Sequence, residues 1–235
     1  MRTRKITYPH GNTTCEGVLA FQDENKRPLV LIVHDWTGRN ELAEKKAQLM
    51  AQWGYIGFAV DMYGEGKTGQ TTDEKRSLMS PLTSDRNIIR QRLESAISAA
   101  KDIPFVDAQK VAIIGFCFGG LCALELARSG NSILGTVSVH GLLHKDDKLP
   151  NVHISSKILV LHGYDDPMVP LEQVTDFANE MKTCNADWQC HMYGNTMHAF
   201  TNPLANDKNF GTVYNPVAEK RAFETISTFL REIFT

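Results

Sequence analysis

The feature that most constrains the fold is an apolar run that leads directly into a glycine-rich turn. Val111–Ile114 is short, uninterrupted and largely branched at Cβ, as is typical of a strand buried on both faces of a parallel sheet. Gly115-Phe116-Cys117-Phe118-Gly119-Gly120 follows at once, and residues 119–128 have the composition of a helix. The sequence therefore predicts a strand, a tight turn and a helix in immediate succession.

Cys117 stands at the centre of this turn, in a G-x-C-x-G pattern. A turn tight enough to lift one side chain above a sheet strains the backbone of that residue, and its neighbours two positions away must lack side chains. This is the nucleophile-elbow pattern with cysteine in place of serine. The start of a helix at Cys117 also favours a thiolate. The alternative is that Cys117 is only a small buried residue at a strand–helix junction, as Cys122 is expected to be within the helix.

The rest of the chain alternates between strand and helix patterns. After a hairpin over 3–21, strands are predicted at 29–33, 55–60, 110–115, 134–140, 157–162 and 188–193. Helices are predicted at 42–53, 85–102, 119–128, 171–181 and 217–234. This alternation predicts an α/β fold with a mostly parallel central sheet and helices on both faces, in a single domain over 1–235. Residues 61–84 are predicted to be irregular, with Ser84 as the N-cap of the next helix.

Composition excludes several classes of function. The net charge of −2 gives no basic surface for nucleic acid, and no apolar stretch reaches the roughly 20 residues that span a bilayer. The five cysteines are odd in number and none is paired as C-x-x-C, which favours reduced thiols in a cytoplasmic protein. No Cys and His cluster has the spacing of a zinc site, and no signal peptide is expected.

A carboxylate and a histidine follow Cys117 in the order that an acid and a base would take. The strand at 157–162 leads into His162-Gly163-Tyr164-Asp165-Asp166-Pro167-Met168-Val169-Pro170, in which Asp166 is the predicted acid and Asp165 the fallback. Either aspartate could instead cap the following helix. His198 lies in the loop after the strand at 188–193 and is the predicted base. These side chains are expected at the carboxyl edge of the sheet, where open α/β folds place their sites.

An oxyanion needs hydrogen-bond donors, and two backbone N–H groups are predicted to supply them. The first is that of Phe118, directly after Cys117, and the second is that of Trp36, in the loop after the strand at 29–33. Asp35 is a carboxylate expected near the thiol. Trp36 and Tyr63 lie on loops that are expected to rim a pocket for a small hydrophobic or aromatic acyl group. Phe200 is expected near the site as a further substrate-side residue, whereas Phe116 is expected to pack in the core.

With these motifs in place, the chain resembles the dienelactone hydrolases (carboxymethylenebutenolidases), a family of α/β-hydrolases. The resemblance runs from about Leu29 to the C-terminus. It is carried by the Cys117 elbow, the Gly163–Pro170 loop, His198-Ala199-Phe200 and Asp61-Met62-Tyr63-Gly64. It implies a Cys117–His198–Asp166 triad that hydrolyses an ester or lactone through an acyl-cysteine, without a cofactor.

Two features of the chain depart from the family pattern. The resemblance implies a glutamate that contacts the resting thiol, where this chain has Asp35. It also implies two arginines that bind a substrate carboxylate. One position is Asn202 here, and the other falls in the 61–84 segment, where Lys75 or Arg76 could substitute. Because Asn cannot replace a bidentate guanidinium, the expected substrate is a small-molecule ester or lactone other than dienelactone.

Two other functions stay open from the sequence. A thioesterase or a peptidase could use the same triad and differ only in its pocket. A non-catalytic relative could bind a ligand or sense oxidation through Cys117, because accessible cysteines of low pKa are oxidised selectively. The chain is expected to act as a monomer or a homodimer, without nucleic-acid or membrane partners.

Overall fold

The computed structural model describes residues 1–146, 148–149 and 152–235. The chain divides into two compact units, Met1–Ile114 and Gly115–Thr235. The sequence prediction of one domain over 1–235 is not tested by this division and stays a prediction. Within the described residues, no helix combines the length and the apolarity that a bilayer crossing requires.

The first unit begins with a hairpin and continues as alternating strands and helices. Its elements are β1 (Arg2–His10), β2 (Thr13–Phe21), β3 (Arg27–Val33), α1 (Glu41–Gln52), β4 (Ile56–Val60), α2 (Thr72–Ser84) and α3 (Arg86–Lys101). The strand order is β1-β2-β4-β3. The first two neighbouring pairs are antiparallel, whereas β3 and β4 are parallel. Strands β3 and β4 are almost entirely buried because their apolar side chains fill the core on both faces.

Strand β5 (Val106–Phe116) carries the chain into the second unit. The elements that follow are α4 (Phe118–Arg128), β6 (Gly135–Val139), β7 (Lys157–Gly163), α5 (Leu171–Thr183), β8 (Trp188–Tyr193), β9 (Asn206–Asp207), β10 (Thr212–Val213) and α6 (Pro216–Phe234). Strands β6, β7 and β8 are neighbours in this order and both pairs are parallel. Their carboxyl ends therefore meet along one edge, and the residues after them share that edge.

The segment predicted to be irregular over 61–84 is partly helical, so that prediction was wrong. Thr71 caps α2 by accepting a hydrogen bond from the Glu74 N–H, and the Glu74 carboxylate accepts one from the Thr71 N–H. This reciprocal capping box starts the helix in spite of the glycine-rich sequence before it. The prediction of Ser84 as the next N-cap was also wrong. Ser84 ends α2, and the Asp85 side chain caps α3 by accepting from the Asn87 N–H.

Two further strands were missed altogether. Strands β9 and β10 pair antiparallel, with Thr212 opposite Asp207 and Val213 opposite Asn206. We call the hairpin Asn206–Val213 the strap. The remaining predicted strands and helices are present, with ends that differ from the predicted ones by a few residues.

Candidate active site

Cys117 occupies a strained turn between β5 and α4. Its φ of 55° and ψ of −116° lie outside the conformations that residues with a side chain usually adopt. Its N–H donates to the Val139 carbonyl at 3.0 Å, and its carbonyl accepts from the Gly120 N–H at 2.9 Å. The backbone of the elbow is thus fixed by β6 on one side and by the first turn of α4 on the other.

Two glycines of the elbow are required because a side chain at either position would collide with neighbouring backbone atoms. A Cβ on Gly115 would lie 1.8 Å from the Gly119 carbonyl oxygen, and one on Gly120 would lie 2.6 Å from the Gly141 Cα. Because both obstacles are backbone atoms, neither can yield without moving the turn. The side chain of Cys117 is half-buried, and the turn places it at the N-terminus of α4, where the helix dipole favours a negative sulfur.

Asp166 and His198 meet directly. The imidazole Nδ1–H of His198 donates to Oδ2 of Asp166 at 2.7 Å, and both side chains are buried. The other carboxylate oxygen of Asp166 accepts the Met168 N–H at 2.8 Å. Asp165, the fallback acid, is exposed, and its described backbone contact is with the Thr196 carbonyl. Asp166 is therefore the carboxylate that orients the imidazole.

The pKa of His198 indicates that Cys117 lies close to the imidazole. Burial alone would lower that pKa, but the charge of Cys117 and the hydrogen bond to Asp166 outweigh burial and raise it to about 10. Nε2 of His198 has no partner of normal hydrogen-bond geometry among the described residues. The Cys117 sulfur thus lies close enough to raise the pKa of the imidazole by its charge and by a hydrogen bond, although the geometry of that bond is not regular. In enzymes, hydrogen bonds of this kind often have long donor–acceptor distances until a substrate binds.

Two further histidines lie beside this pair, and sequence reasoning gave neither a role. The His140 ring follows β6 and meets the His198 ring edge to face, with centroids 5.2 Å apart. It also exchanges a hydrogen bond with the Thr201 hydroxyl at 2.9 Å. The His162 ring, at the end of β7, is buried, and burial lowers its pKa. The Val169 carbonyl lies near it, yet neither ring nitrogen has a regular hydrogen bond among the described residues.

The other predicted residues of the second unit have different surroundings. Phe118 is the first residue of α4, so its N–H lies at the helix N-terminus beside Cys117. Phe200 is fully buried and packs edge to face against His140 and Tyr193. Asn202 closes its own turn, because its side-chain oxygen accepts the Leu204 N–H at 2.9 Å.

The remaining predicted residues lie in the first unit. The Asp35 carboxylate accepts the N–H of Thr37 at 2.8 Å and so stabilises its own loop. The Tyr63 hydroxyl donates to the Trp36 carbonyl at 2.9 Å, and the Lys75 ammonium lies 5.4 Å from the centre of the Trp36 ring. Arg76 is largely exposed on α2, with Asp73 at 4.0 Å.

None of the five cysteines, all of which lie in the described part of the chain, forms a disulfide. Burial raises the pKa of Cys15 and of Cys190 to about 11, which keeps both protonated at neutral pH. No group of three or more His, Cys, Asp or Glu side chains that could hold a metal ion is found in the described part of the chain. Cys117 differs from Cys15 and Cys190 because it lies at a helix N-terminus beside a histidine.

Solved structures define the class to which this fold belongs. A dienelactone hydrolase-like promiscuous phosphotriesterase, P91, from metagenomic libraries is 33% identical, covers 99% of this chain and 98% of its own, and has a TM-score of 0.92. The structure named m3DLH is 34% identical, covers 100% and 99% of the two chains, and has a TM-score of 0.93. The chain therefore has the α/β-hydrolase fold, with a mostly parallel sheet, and the predicted fold class is confirmed.

Within this class, the model of the dienelactone hydrolase family matches residues 15–234. The chain belongs to the dienelactone hydrolase family, as its motifs predicted. A relative in Caenorhabditis elegans, named Uncharacterized protein K02A2.1, is 39% identical over 157 residues, which are 65% of this chain and 99% of the relative. The family is one of hydrolases.

Proposed function

We propose that this protein hydrolyses an ester or lactone bond, with Cys117 as nucleophile, His198 as acid and base, and Asp166 as the residue that orients His198. One observation carries the proposal. The strained Cys117 lies close enough to His198 to raise its pKa, while Asp166 binds the opposite ring nitrogen at 2.7 Å. A nucleophile, a base and a residue that orients the base are the parts that covalent catalysis requires.

In the first half of the proposed reaction, the Cys117 thiolate attacks the carbonyl carbon and a C–S bond forms. The carbonyl π electrons move to oxygen, and the Phe118 N–H at the start of α4 donates to this oxyanion. When the carbonyl forms again, the ester C–O bond breaks, and the leaving oxygen takes the proton from Nε2 of His198. The second donor predicted from the sequence, the Trp36 N–H, stays a prediction.

In the second half, neutral His198 removes a proton from water, and the resulting hydroxide attacks the thioester carbon. The C–S bond breaks, the acid is released and the thiolate is restored, with the proton left on His198. Asp166 stays ionised throughout and stabilises the imidazolium. These steps need no metal or organic cofactor, because the side chains supply the nucleophile and every proton transfer.

Dienelactone itself is not the substrate that we propose. The position four residues after His198 is Asn202, whose side chain closes its own turn and carries no charge. It cannot supply the bidentate contact that a guanidinium makes to a carboxylate. We therefore propose a small, uncharged acyl group, with Trp36, Tyr63, Arg76 and Phe200 as the substrate-side residues that the sequence suggests. We also propose a cytoplasmic location, where Cys117 stays reduced.

A second candidate is the hydrolysis of a phosphotriester, which is favoured by the similarity to P91 over nearly the whole chain. Cys117 would attack phosphorus instead of carbon, a P–O bond would break, and water would then release the phosphoryl group from sulfur. The same three side chains would serve both reactions.

Steady-state assays with p-nitrophenyl acetate test the main proposal. The Cys117→Ala variant is compared with wild type and with Cys190→Ala, which removes another half-buried cysteine. Turnover over many cycles by wild type and Cys190→Ala, but not by Cys117→Ala, is the expected result. A single burst, or full activity without Cys117, would contradict the proposal and favour a sensor or binding protein.

The same enzyme preparation should be given four further substrates. These are dienelactone, diethyl p-nitrophenyl phosphate, a simple acyl thioester and a peptide p-nitroanilide. The ratios of kcat/KM among them rank the ester, phosphotriester, thioesterase and peptidase functions. We expect the uncharged ester to exceed dienelactone.

A further inference from the structure

The strap Asn206–Val213 contacts the backbone of His198 on both of its polar groups. The His198 N–H donates to the Gly211 carbonyl at 3.0 Å, and the His198 carbonyl accepts the Val213 N–H at 3.0 Å. Thr212 also forms a parallel β-bridge with His198. The position of the histidine backbone is therefore set by the strap, although the strap lies further along the chain.

The strap also contacts the loop of the acid. Gly211 is buried with a φ of +80°, and a Cβ built on it would lie 2.1 Å from Cγ and 2.8 Å from Cδ of Pro167. Pro167 directly follows Asp166. One residue, Gly211, thus binds the histidine backbone through its carbonyl and packs through its Cα against the residue after the aspartate.

The backbone around His198 needs such support. Ala199, the residue directly after it, has a φ of +58°, a left-handed conformation that costs free energy for a residue with a Cβ. Strained residues persist where the surroundings determine them. The strap has a firm structure of its own, because the Asp207 carboxylate accepts the N–H groups of Asn209 and Phe210 at 3.0 and 2.9 Å.

We propose that the strap is a positioning element for the active site, and that Gly211 is the positioning residue that keeps His198 in register with Asp166. This inference rests on the proposed function for its effect on catalysis. The contacts described above join the strap to His198 and Pro167 through backbone and ring atoms, so the role that we propose for it is one of positioning. Its effect is on the distance and angle between the imidazole and the carboxylate.

Gly211→Ala is the direct test, because the added methyl group must push the strap away from Pro167. A displacement of about 1 Å at a catalytic group can cost about 10²-fold in rate. We expect kcat to fall by about 10- to 100-fold with KM changed less than about threefold. Gly130→Ala is the matched control, since Gly130 has a φ of +77° and its Cβ would find no atom closer than 4.0 Å. It should reproduce the backbone strain without the loss of kcat.

A double variant separates positioning from general damage. Pro167→Ala removes the two ring atoms that the added methyl group would meet, so Gly211→Ala/Pro167→Ala should recover about tenfold of the lost kcat. Should Gly211→Ala fail to fold, Asp207→Ala takes its place. That variant loosens the strap at an exposed position, adds no atom, and is expected to lower kcat by about threefold or more.

The pKa of His198 gives a readout that does not depend on activity. Imidazole signals are followed by NMR across pH, with His198 assigned from the His198→Gln variant. Because the hydrogen bond that His198 donates to Asp166 helps to raise this pKa, Gly211→Ala should lower it while Gly130→Ala should not. An unchanged pKa of His198 in Gly211→Ala would overturn the strap proposal. This outcome can be read whether or not the wild-type protein proves to be a hydrolase. A lowered pKa with no hydrolysis by wild type would refute only the proposed function.

Discussion

Two buried side chains in the second unit differ in how fully their polar atoms are hydrogen-bonded. Arg128 uses all of its donors. Its guanidinium makes five hydrogen bonds, two to the Glu180 carboxylate at 2.8 and 2.7 Å, one to Glu125 at 3.2 Å, and two to the carbonyls of Leu143 and His144 at 2.7 and 3.4 Å. Because an arginine has five N–H groups, nothing is left for a ligand.

The His198 imidazole is buried as deeply but uses only one of its nitrogens in a regular hydrogen bond. Asp166 binds Nδ1, whereas Nε2 has no partner of normal geometry among the described residues. A buried polar atom without a regular partner costs free energy, and proteins keep such atoms where they are used. The contrast indicates that the Arg128 cluster holds α4 and α5 together, and it supports the catalytic role that we propose for His198.

The largest expected effect comes from removing the imidazole. His198→Gln should lower kcat for p-nitrophenyl acetate by about 10⁴-fold, since loss of one member of the proposed triad leaves only residual catalysis. Differential scanning calorimetry checks that the variant is folded under the conditions of the assay. A variant that melts far lower yet keeps most of its activity would reverse the roles assigned to the two groups.

The Arg128 cluster should respond in the opposite sense. Arg128→Met leaves the carboxylates of Glu125 and Glu180 buried without their cation, which typically costs about 3–5 kcal/mol of unfolding free energy. Urea unfolding measures this loss, and kcat of the folded fraction should stay within about threefold of wild type. Arg231→Met is the control: Arg231 lies exposed in the last turn of α6, and its loss should cost under about 0.5 kcal/mol. Equal losses in the two variants would refute the assignment.

The pH dependence of stability gives a third comparison. Histidine ordinarily has a pKa of about 6.5, and the folded protein raises that of His198 to about 10. Protonated His198 therefore stabilises the folded state fully below about pH 6.5, and this contribution disappears as the pH rises through about 10. The difference in unfolding free energy between wild type and His198→Gln should shrink over that window. A difference that grows with pH would contradict the raised pKa.

The same imidazole should respond to the thiol. The charge of Cys117 is the largest of the causes that raise the pKa of His198. Cys117→Ser removes the sulfur whose charge acts on the imidazole, so the NMR titration of His198 should move to lower pH. A titration identical to that of wild type would mean that Cys117 carries no charge beside the histidine.

The smallest expected effect comes from an exposed polar group that serves only local structure. Thr71→Ala removes one half of the capping box of α2 and should cost about 1 kcal/mol without changing kcat. Urea unfolding detects this loss, and Thr72→Ala, one residue inside the helix, is the control. The result gives the unfolding free energy that an ordinary exposed hydrogen bond contributes. The losses in the Arg128 and His198 variants can be compared with this value.

Local patterns were sufficient to predict much of the fold and to select Asp166 and His198, which the structure brings together. The strand before Cys117 and the glycines around it leave few alternatives, because a Cβ on Gly115 would overlap backbone. The H-G-x-x-D spacing distinguished Asp166 from Asp165, and the structure buries the former and exposes the latter. These predictions depend on contacts between residues that are near in sequence or at strand ends.

The features that were missed depend on other information. Helix α2 was not predicted because the glycines and threonines before it are typical of a loop. Thr71 and Glu74 nevertheless have the spacing of a capping box. The strap consists of two strands of two residues each, too short to show a period. Its contacts with His198 and Pro167 are tertiary, as is the edge-to-face contact of His140 with His198, and a single sequence does not encode them as a pattern.

The central claim is that Cys117 becomes acylated during turnover, and rapid-quench mass spectrometry tests it most directly. Wild type and His198→Gln are mixed with p-nitrophenyl acetate, quenched in acid, digested and searched for an acetyl group. We predict a thioester on the peptide that contains Cys117, present transiently in wild type and accumulating in His198→Gln, where the water step is slowed. An acetyl group on another residue, or turnover by wild type with Cys117 never modified, would contradict the account.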